Sequence, residues 1–392
     1  MNPNRVGLAL ACLALALALR LWSRPARSTV VVVAQWRFGM GRDELAPLSG
    51  VEHKGLGLGG WDRLGNAAVS DEGAVVVVDS KSRLWRCQPD GLHLPAQSLP
   101  WTRVPWHVGV DGSRSLWVAD DAFGPECGWQ RVVRAQSGGQ AMWEIGLPDA
   151  NWATAGKKRD VPPLPRPTAV TAGAVRFGQI QGLYAAGKGD LFVQDWYDAL
   201  YRFAEDGALL GRYDLNARQL PPAPTGFLAG GTAAAVATDG SVYAALRYHY
   251  ANKAGTILSL PLLTWAKPGE PALRHIDMRS LGRIQFLNIL LMGVDGAGNL
   301  YFAYRAGPRR VLDRWRGPTA IACAGADNKA RQIFDIYGHY RDLGIGGRVP
   351  ADEQFVFGDL IHVSREGDLY LEMQSKTHYR IDKITWRKPG GG

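Results

Sequence analysis

The stretch GAVVVVDSKSRLWRCQPDG, starting at Gly73, aligns without a gap on GDLFVQDWYDALYRFAEDG, starting at Gly189. Asp79 falls on Asp195, Leu84 on Leu200, Arg86 on Arg202 and Asp90-Gly91 on Asp206-Gly207. A third copy, GDLYLEMQSKTHYRIDK from Gly367, is read in the same register, with Arg380 at the arginine position. Looser copies are SRSLWVADD around Arg114, DGSVYAALRY from Asp239 and GAGNLYFAYRA from Gly296. A short unit repeated along a chain cannot bury its apolar face alone, so the units must pack on one another. The repeat therefore constrains the fold more than any other feature of the chain.

Each copy begins with a short apolar stretch: NAAVS, HVGV, GLYAA, AAAVA, ILLMGV or LIHV. A tight turn follows, usually with Gly and a charged residue. Then come a second apolar strand, a polar loop and a third strand such as RLWRC, RVVRA, ALYRF, TILSL, RRVLDRW or HYRIDKI. The second strands are rich in Val, Leu and Tyr, as strands covered on both faces should be. Repeats one to five each have a candidate fourth strand: LHLPAQ, AMWEIGL, ALLGRYDL, LRHIDM and RQIFDIY. The sixth has none, because the chain runs out in RKPGGG after KITW. One strand is left over at the other end, VVVVAQWRF within residues 29–38, read as buried from its four valines. Pairing it with the last repeat closes a ring of four-stranded units. The expected fold is an all-β, six-bladed β-propeller closed by an N-terminal strand. Closure removes the open edge that a linear array would leave. Repeats four and five lack the Asp after the second strand, in VYAAL and LYFAY, which leaves seven blades or a degenerate ring as alternatives. The segment PTAIACAGADNKAR, 318–331, is read as a short helix.

SLWVADD and LFVQDWYDALYRF, with the pattern QWRFGMGRDELAPLSGV…LGNAAVSDEGAVVVVDSKSRLWRCQPDG, resemble the NHL-repeat family of six-bladed propellers over roughly Thr29 to Trp386. The resemblance implies architecture and leaves function open, since such propellers serve as scaffolds, nucleic-acid readers and enzymes. VPWHVGVDGSRSLWVAD is also similar to the gluconolactonase-type propellers, hydrolases that bind a divalent metal near the central channel. Where that family places a metal-binding Glu, this chain has Arg103 and Val104. Where its later ligands belong, FLAGGTAAAVATDG is apolar. Without carboxylates a hard-cation site loses most of its driving force.

The remaining features bound the surroundings. An apolar fraction of 46% excludes general disorder, and 48 Gly with 23 Pro suit a chain of many turns. Val6 to Leu19 is an apolar run of 14 residues behind Arg5. As a helix it spans about 21 Å, short of the roughly 30 Å hydrocarbon core. Residues 1–28 are thus read as a signal peptide or signal anchor, and 29–392 as the propeller domain, extracytoplasmic and secreted or membrane-anchored. Net charge is +9, of which +5 lies beyond residue 28. The one dense basic patch, Lys157-Lys158-Arg159, has no aromatic interleaving, so nucleic acid is not an expected partner. Cys87, Cys127 and Cys323 show no CxxC spacing. Either Cys87 pairs with Cys127 on the adjacent blade, or all three stay reduced.

No HExxH, P-loop, GxSxG or CxxC motif occurs, so no catalytic residue, metal site or cofactor is assigned. GLGLGG at 55–60 is read as a turn. Asp79, Asp120 and Asp195 recur at one repeat position, which points to a structural role. Trp85, Trp117, Trp196 and Trp386 are expected between blades, and Trp129 and Trp152, in insertions, on an exposed contact surface. Polar residues at the starts of inner strands include Asn66 and Thr232. The candidate ligand-binding set is His107, Gln181, Asn288, Asp359 and His362, in which only Asp359 is a carboxylate. That favours a small polar ligand over a bare cation. The expected function is a binding or scaffold module for such a ligand or for an envelope protein. The competing class is a propeller hydrolase or lactonase with its site at the channel mouth.

Overall fold

The computed structural model describes residues 28–46, 67–103, 105–120, 130–146, 169–170, 175, 177, 180–186, 189–195, 199–215, 226–228, 233–251, 254–270, 274–281, 288–305, 318–325, 329–340, 356–374 and 377–386. These form six antiparallel blades. Blade one is Ala67–Val69, Val75–Val78, Arg83–Cys87 and His93–Ser98; blade two is Pro105–Val110, Leu116–Asp120, Arg131–Ala135 and Ala141–Ile145. Blade three is Ile180–Ala185, Leu191–Asp195, Ala199–Phe203 and Leu209–Asp214; blade four is Ala233–Val236, Val242–Ala251, Ile257–Ala266 and Arg274–Asp277. Blade five is Asn288–Val294, Leu300–Arg305, Ala320–Ala324 and Ala330–Asp335. Blade six takes Val356–Val363, Leu369–Gln374 and His378–Trp386 from the end of the chain and Ser28–Arg37 from its beginning. Two short strands are added: Ala169–Val170 lies parallel on the outer edge of blade two, and Gly226–Leu228 pairs with the long second strand of blade four.

The repeat is built on one turn. In all six blades the residue after the inner strand receives a backbone bond from the third residue on, and bonds to the fourth: Ser70, Asp111, Ala186, Ala237, Asp295 and Ser364. The third residue has positive φ each time, and it is Gly73, Arg114, Gly189, Gly240, Gly298 or Gly367. Only glycine enters that region without a steric cost, which is why glycines mark the copies.

The core is divided as the sheets are. Six buried clusters each lie between two neighbouring blades. Trp85 packs with Trp36 and Tyr379 between blades six and one. Trp117 packs with Leu191 and Phe203 between blades two and three, and Trp386 reaches Tyr301 between five and six. Trp196 lies outside the described residues. Cations recur too. Arg134 sits over its cross-strand partner Trp117, Arg202 over Phe192 and Lys383 over Tyr370, with ring distances of 5.1, 5.7 and 5.7 Å. Arg86 of blade one and Arg134 of blade two each bond a backbone carbonyl, Ser137 and Glu205, in the corresponding turn of the next blade.

Four expectations change. Lys383, not Arg380, occupies the arginine position in blade six, because the second and third strands there run further before the hairpin turns and the partner of Tyr370 falls three residues later. Arg380 instead pairs with Met373 and bonds Asp382. The short helix expected within 318–331 does not form among the described residues: Ala320–Ala324 is a wholly buried third strand and Ala330–Asp335 is the fourth. Small Ala and Cys side chains satisfy helix propensity, but burial between two blades overrides it. The closing strand is not buried throughout, since Val31 and Val32 are exposed at 57% and 49%. It is an outermost strand, and the bulge between Val32 and Ala34 turns only Ala34 and Trp36 fully inward. Finally, Cys87 and Cys323 are both buried free thiols, so Cys87 does not form the bridge to Cys127, which itself lies outside the described residues.

Two outcomes follow. A chain beginning at Gly39 loses the ladder to His378–Trp386, and it should elute as aggregates with a lowered melting temperature; a monomer of unchanged Tm would refute closure by this strand. At the shared turn, Gly298→Ala should cost about 1–2 kcal/mol, the strain of positive φ alone, because no atom lies within 4 Å of the new methyl. Gly367→Ala should cost more in a denaturant titration, because its methyl would stand 2.5 Å from the Tyr301 hydroxyl.

Candidate functional site

All six inner strands run the same way around the ring, and each contacts the inner strands on both sides. Their first residues therefore gather at one end, here called the mouth, opposite the shared turns. Four of the six carry a register shift at this end: Pro105/His107, Ile180/Gly182, Ile289/Leu291 and Phe357/Asp359. A β-bulge re-aims the side chains beside it and stops regular pairing. The same irregularity in four blades makes the mouth the least regular part of the inner wall.

His107 follows the first of these bulges, opposite Ala119, and Gln181 is the extra residue of the second; both are half-buried. Asn288 opens the inner strand of blade five, opposite Arg305. Asp359 follows the bulge in blade six, opposite Glu372. These four belong to the mouth. His362 does not. A second bulge, Leu360/His362, puts it opposite Tyr370 and next to the turn at Ser364, three residues beyond Asp359. Their partners are two residues apart, so His362 stands roughly 7 Å further along the sheet. Asn66 and Thr232 lie outside the described residues, as do the surface candidates Trp129 and Trp152 and the segments 55–60 and 157–159.

The register supplies residues that composition could not point to. Glu372 is 1% exposed and stands directly across from Asp359, so the mouth has a second carboxylate position where one was expected. Directly opposed residues have Cβ atoms about 5 Å apart. Gln194, also buried, accepts a hydrogen bond from the Tyr184 hydroxyl at 2.9 Å in blade three. Gln130 accepts one from the Ile180 N–H at 2.7 Å, tying blade two to the residue beside Gln181. A glutamine in a polar stretch gives no signal of such a role; only the fold brings it to the neighbouring strand.

The recurring aspartates lie at this same end, Asp120 opposite Pro105 and Asp195 opposite Ile180, and the bonds of Asp79 and Asp120 go to backbone N–H groups and arginines. Asp79 is 1% exposed and accepts bonds from the N–H groups of Ala46, Lys81 and Arg83, from Arg83 Nε and from Trp85 Nε1. Asp120 holds the Arg103 N–H and the buried Arg131, which also contacts Glu144 and the Trp101 carbonyl. Asp195 is buried at the same position. Near the turns, Asp111 gathers Ser113, Ser115 and Trp117, and Asp295 gathers Ala297, Asn299 and Tyr301. Burial pushes the Tyr301 hydroxyl far above its ordinary range, so it stays a neutral donor to Asp295. These carboxylates hold loops and arginines in place.

No family model matches the chain, and no curated protein matches it either. Among solved structures, virginiamycin B lyase from Staphylococcus aureus is similar at 11% identity and a TM-score of 0.41, covering 82% of this chain and 94% of that one. A streptogramin B lyase is similar at 12% identity and a TM-score of 0.39, covering 83% and 94%. The WD40 domain of Neurospora crassa Pan2 is similar at 9% identity and a TM-score of 0.41, covering 82% and 74%. Likeness at this level says nothing of ligand or chemistry.

The structural role of the recurring aspartates has a direct check. Asp79→Ala leaves Arg83 and Trp85 without their shared acceptor and should cost about 3–5 kcal/mol in denaturant unfolding. A change below about 1 kcal/mol would show that Asp79 is free for another task.

Proposed function

We propose that this chain is an exported propeller, of the kind the NHL-repeat resemblance implies, acting as a binding or scaffold module. Its ligand is small and polar and is taken at the mouth by His107, Gln181, Asn288 and Asp359. The observation that carries this reading is the bulge shared by four inner strands at one end of the ring. Regular pairing is given up there, beside polar side chains, while the rest of the barrel wall is satisfied by repeated latches. Amides, an imidazole and a carboxylate suit a ligand held by several hydrogen bonds. Export rests on the apolar run Val6 to Leu19, acting as a signal peptide or as an anchor.

A second reading, a propeller hydrolase, draws on one observation: Glu372 opposite Asp359. Two carboxylate positions on facing strands can divide acid and base work between them. Glu372→Gln separates the readings, since a hydrolase loses turnover on an ester and lactone panel whereas a binding module retains its ligand.

The test of the first reading compares two double variants, His107→Ala with Gln181→Ala and Trp129→Ala with Trp152→Ala. Each is purified, equilibrated with a cell-envelope extract, and assayed for retained small molecules by mass spectrometry. Loss of a retained compound in the mouth pair, and not in the tryptophan pair, is the expected result. Loss only in the tryptophan pair would reject the mouth and make the insertions the working surface.

A further inference from the structure

We propose that His362 is a pH-sensitive latch on the seam between blades six and one, and that mild acid loosens this seam ahead of its neighbour between blades five and six. The seam is the one at which the ring closes, where blade six is assembled from both ends of the chain. His362 lies on the inner strand of blade six, and its ring stands 5.7 Å from that of Tyr370, a member of the buried cluster between blades six and one. Its Nε2 is inaccessible to solvent and has no hydrogen-bond partner among the described residues. A second polar atom in the same condition, Trp36 Nε1, belongs to the same seam, on the closing strand. Unsatisfied buried polar groups lower the stability of the interface that holds them.

Two acids act on His362: Asp71, on the blade-one turn, and Glu366, on its own blade's turn, both exposed. Tyr370 faces it from the adjoining strand, and behind Tyr370 stands Lys383 paired with Asp368 at 2.7 Å. Both acids favour a charged imidazole. Burial outweighs them and lowers the pKa to about 4. His93 also borders the seam, edge-on to Trp36, and burial lowers its pKa in the same direction, so the His362→Gln comparison below is what assigns the response to His362.

The sign follows from these groups. An unfolded or opened chain takes up a proton near pH 6.5, whereas the closed seam resists until about pH 4. Between those values the open form binds more protons, so closure is fully favoured above pH 6.5 and weakens as pH falls toward 4. At pH 5 the opening equilibrium of a seam that exposes His362 rises by about 30-fold over its value at about pH 7.5.

The chain carries its own reporters. Cys87 is buried in the six–one seam, with its Sγ 3.4 Å from the Val33 carbonyl of the closing strand. Cys323 is buried in the five–six seam. In full-length chains with Cys12 and Cys127 changed to Ser, and either Cys87 or Cys323 retained, labelling by 4,4′-dithiodipyridine is followed from pH 7.5 to 4.5. Each rate is divided by that of the urea-unfolded chain at the same pH. The expected result is a rise of about 30-fold for Cys87 by pH 5, with Cys323 lagging, and a flat Cys87 profile in His362→Gln. Parallel profiles for the two cysteines would overturn the proposal, and so would an undiminished Cys87 response in His362→Gln. If circular dichroism shows that His362→Gln does not fold, the comparison of the two cysteines in the His362 chain decides alone.

Discussion

The ladder between Ser28–Arg37 and His378–Trp386 is the interaction on which the rest of the molecule depends. Every other blade is built from four strands consecutive in the chain. Blade six must bring together residues from opposite ends of the chain, at the full cost in chain entropy. What offsets that cost is distributed: the ladder itself, the packing of Ala34 and Trp36 against blade one, and the burial of Tyr379 and Ile381 behind them. Once that seam is closed, each of the six apolar clusters has two walls. Without it, two of the twelve blade faces would be left open to water.

A second constraint governs polar groups. Each blade buries several, and the same devices recur. Aspartates collect backbone N–H groups and arginines at the strand ends, and cations lie over aromatic rings on the opposed strand. Arginines on third strands cap carbonyls of the following blade. A buried carboxylate bonded to three N–H groups and a guanidinium is fixed in place, and such a group is poorly suited to move protons. The proposed recognition residues lie outside this repeat pattern, at the bulged ends of the inner strands. On the reading proposed above, function falls where the repeat breaks down, since loops and irregular strand ends can vary without disturbing the packed wall.

The mouth was partly legible in the chain. His107, Gln181, Asn288 and Asp359 could be picked out as polar residues opening apolar strands, and the fold does bring strand starts together. His362 looked like a neighbour of Asp359 because it is three residues away. One bulge, Leu360/His362, lies between them and sets His362 against Tyr370 at the turn end of the strand. Glu372 escaped notice because it reads as one polar residue in an apolar strand, LYLEM, and only the register sets it against Asp359. Bulges cannot be counted from composition, and each one shifts all later partners by a residue.

The sequence by itself determined the repeating unit, the turn that defines it and the identity of the strand that closes the ring, while seven blades stayed open beside six. These follow from local rules: positive φ at the turn calls for glycine, apolar runs of a few residues between turns make strands, and a last unit short of a strand needs one from elsewhere. Only the tertiary structure decided which cation occupies the conserved position in blade six, that Ala320–Ala324 is a strand, and that Val31 and Val32 face water. It also decided which carboxylates are consumed by arginines and which histidine has its Nε2 closed off in a seam. The reason is that each depends on what a residue meets across a sheet or between blades. Those partners lie tens to hundreds of residues away, at a register set by loops and bulges that no local pattern encodes.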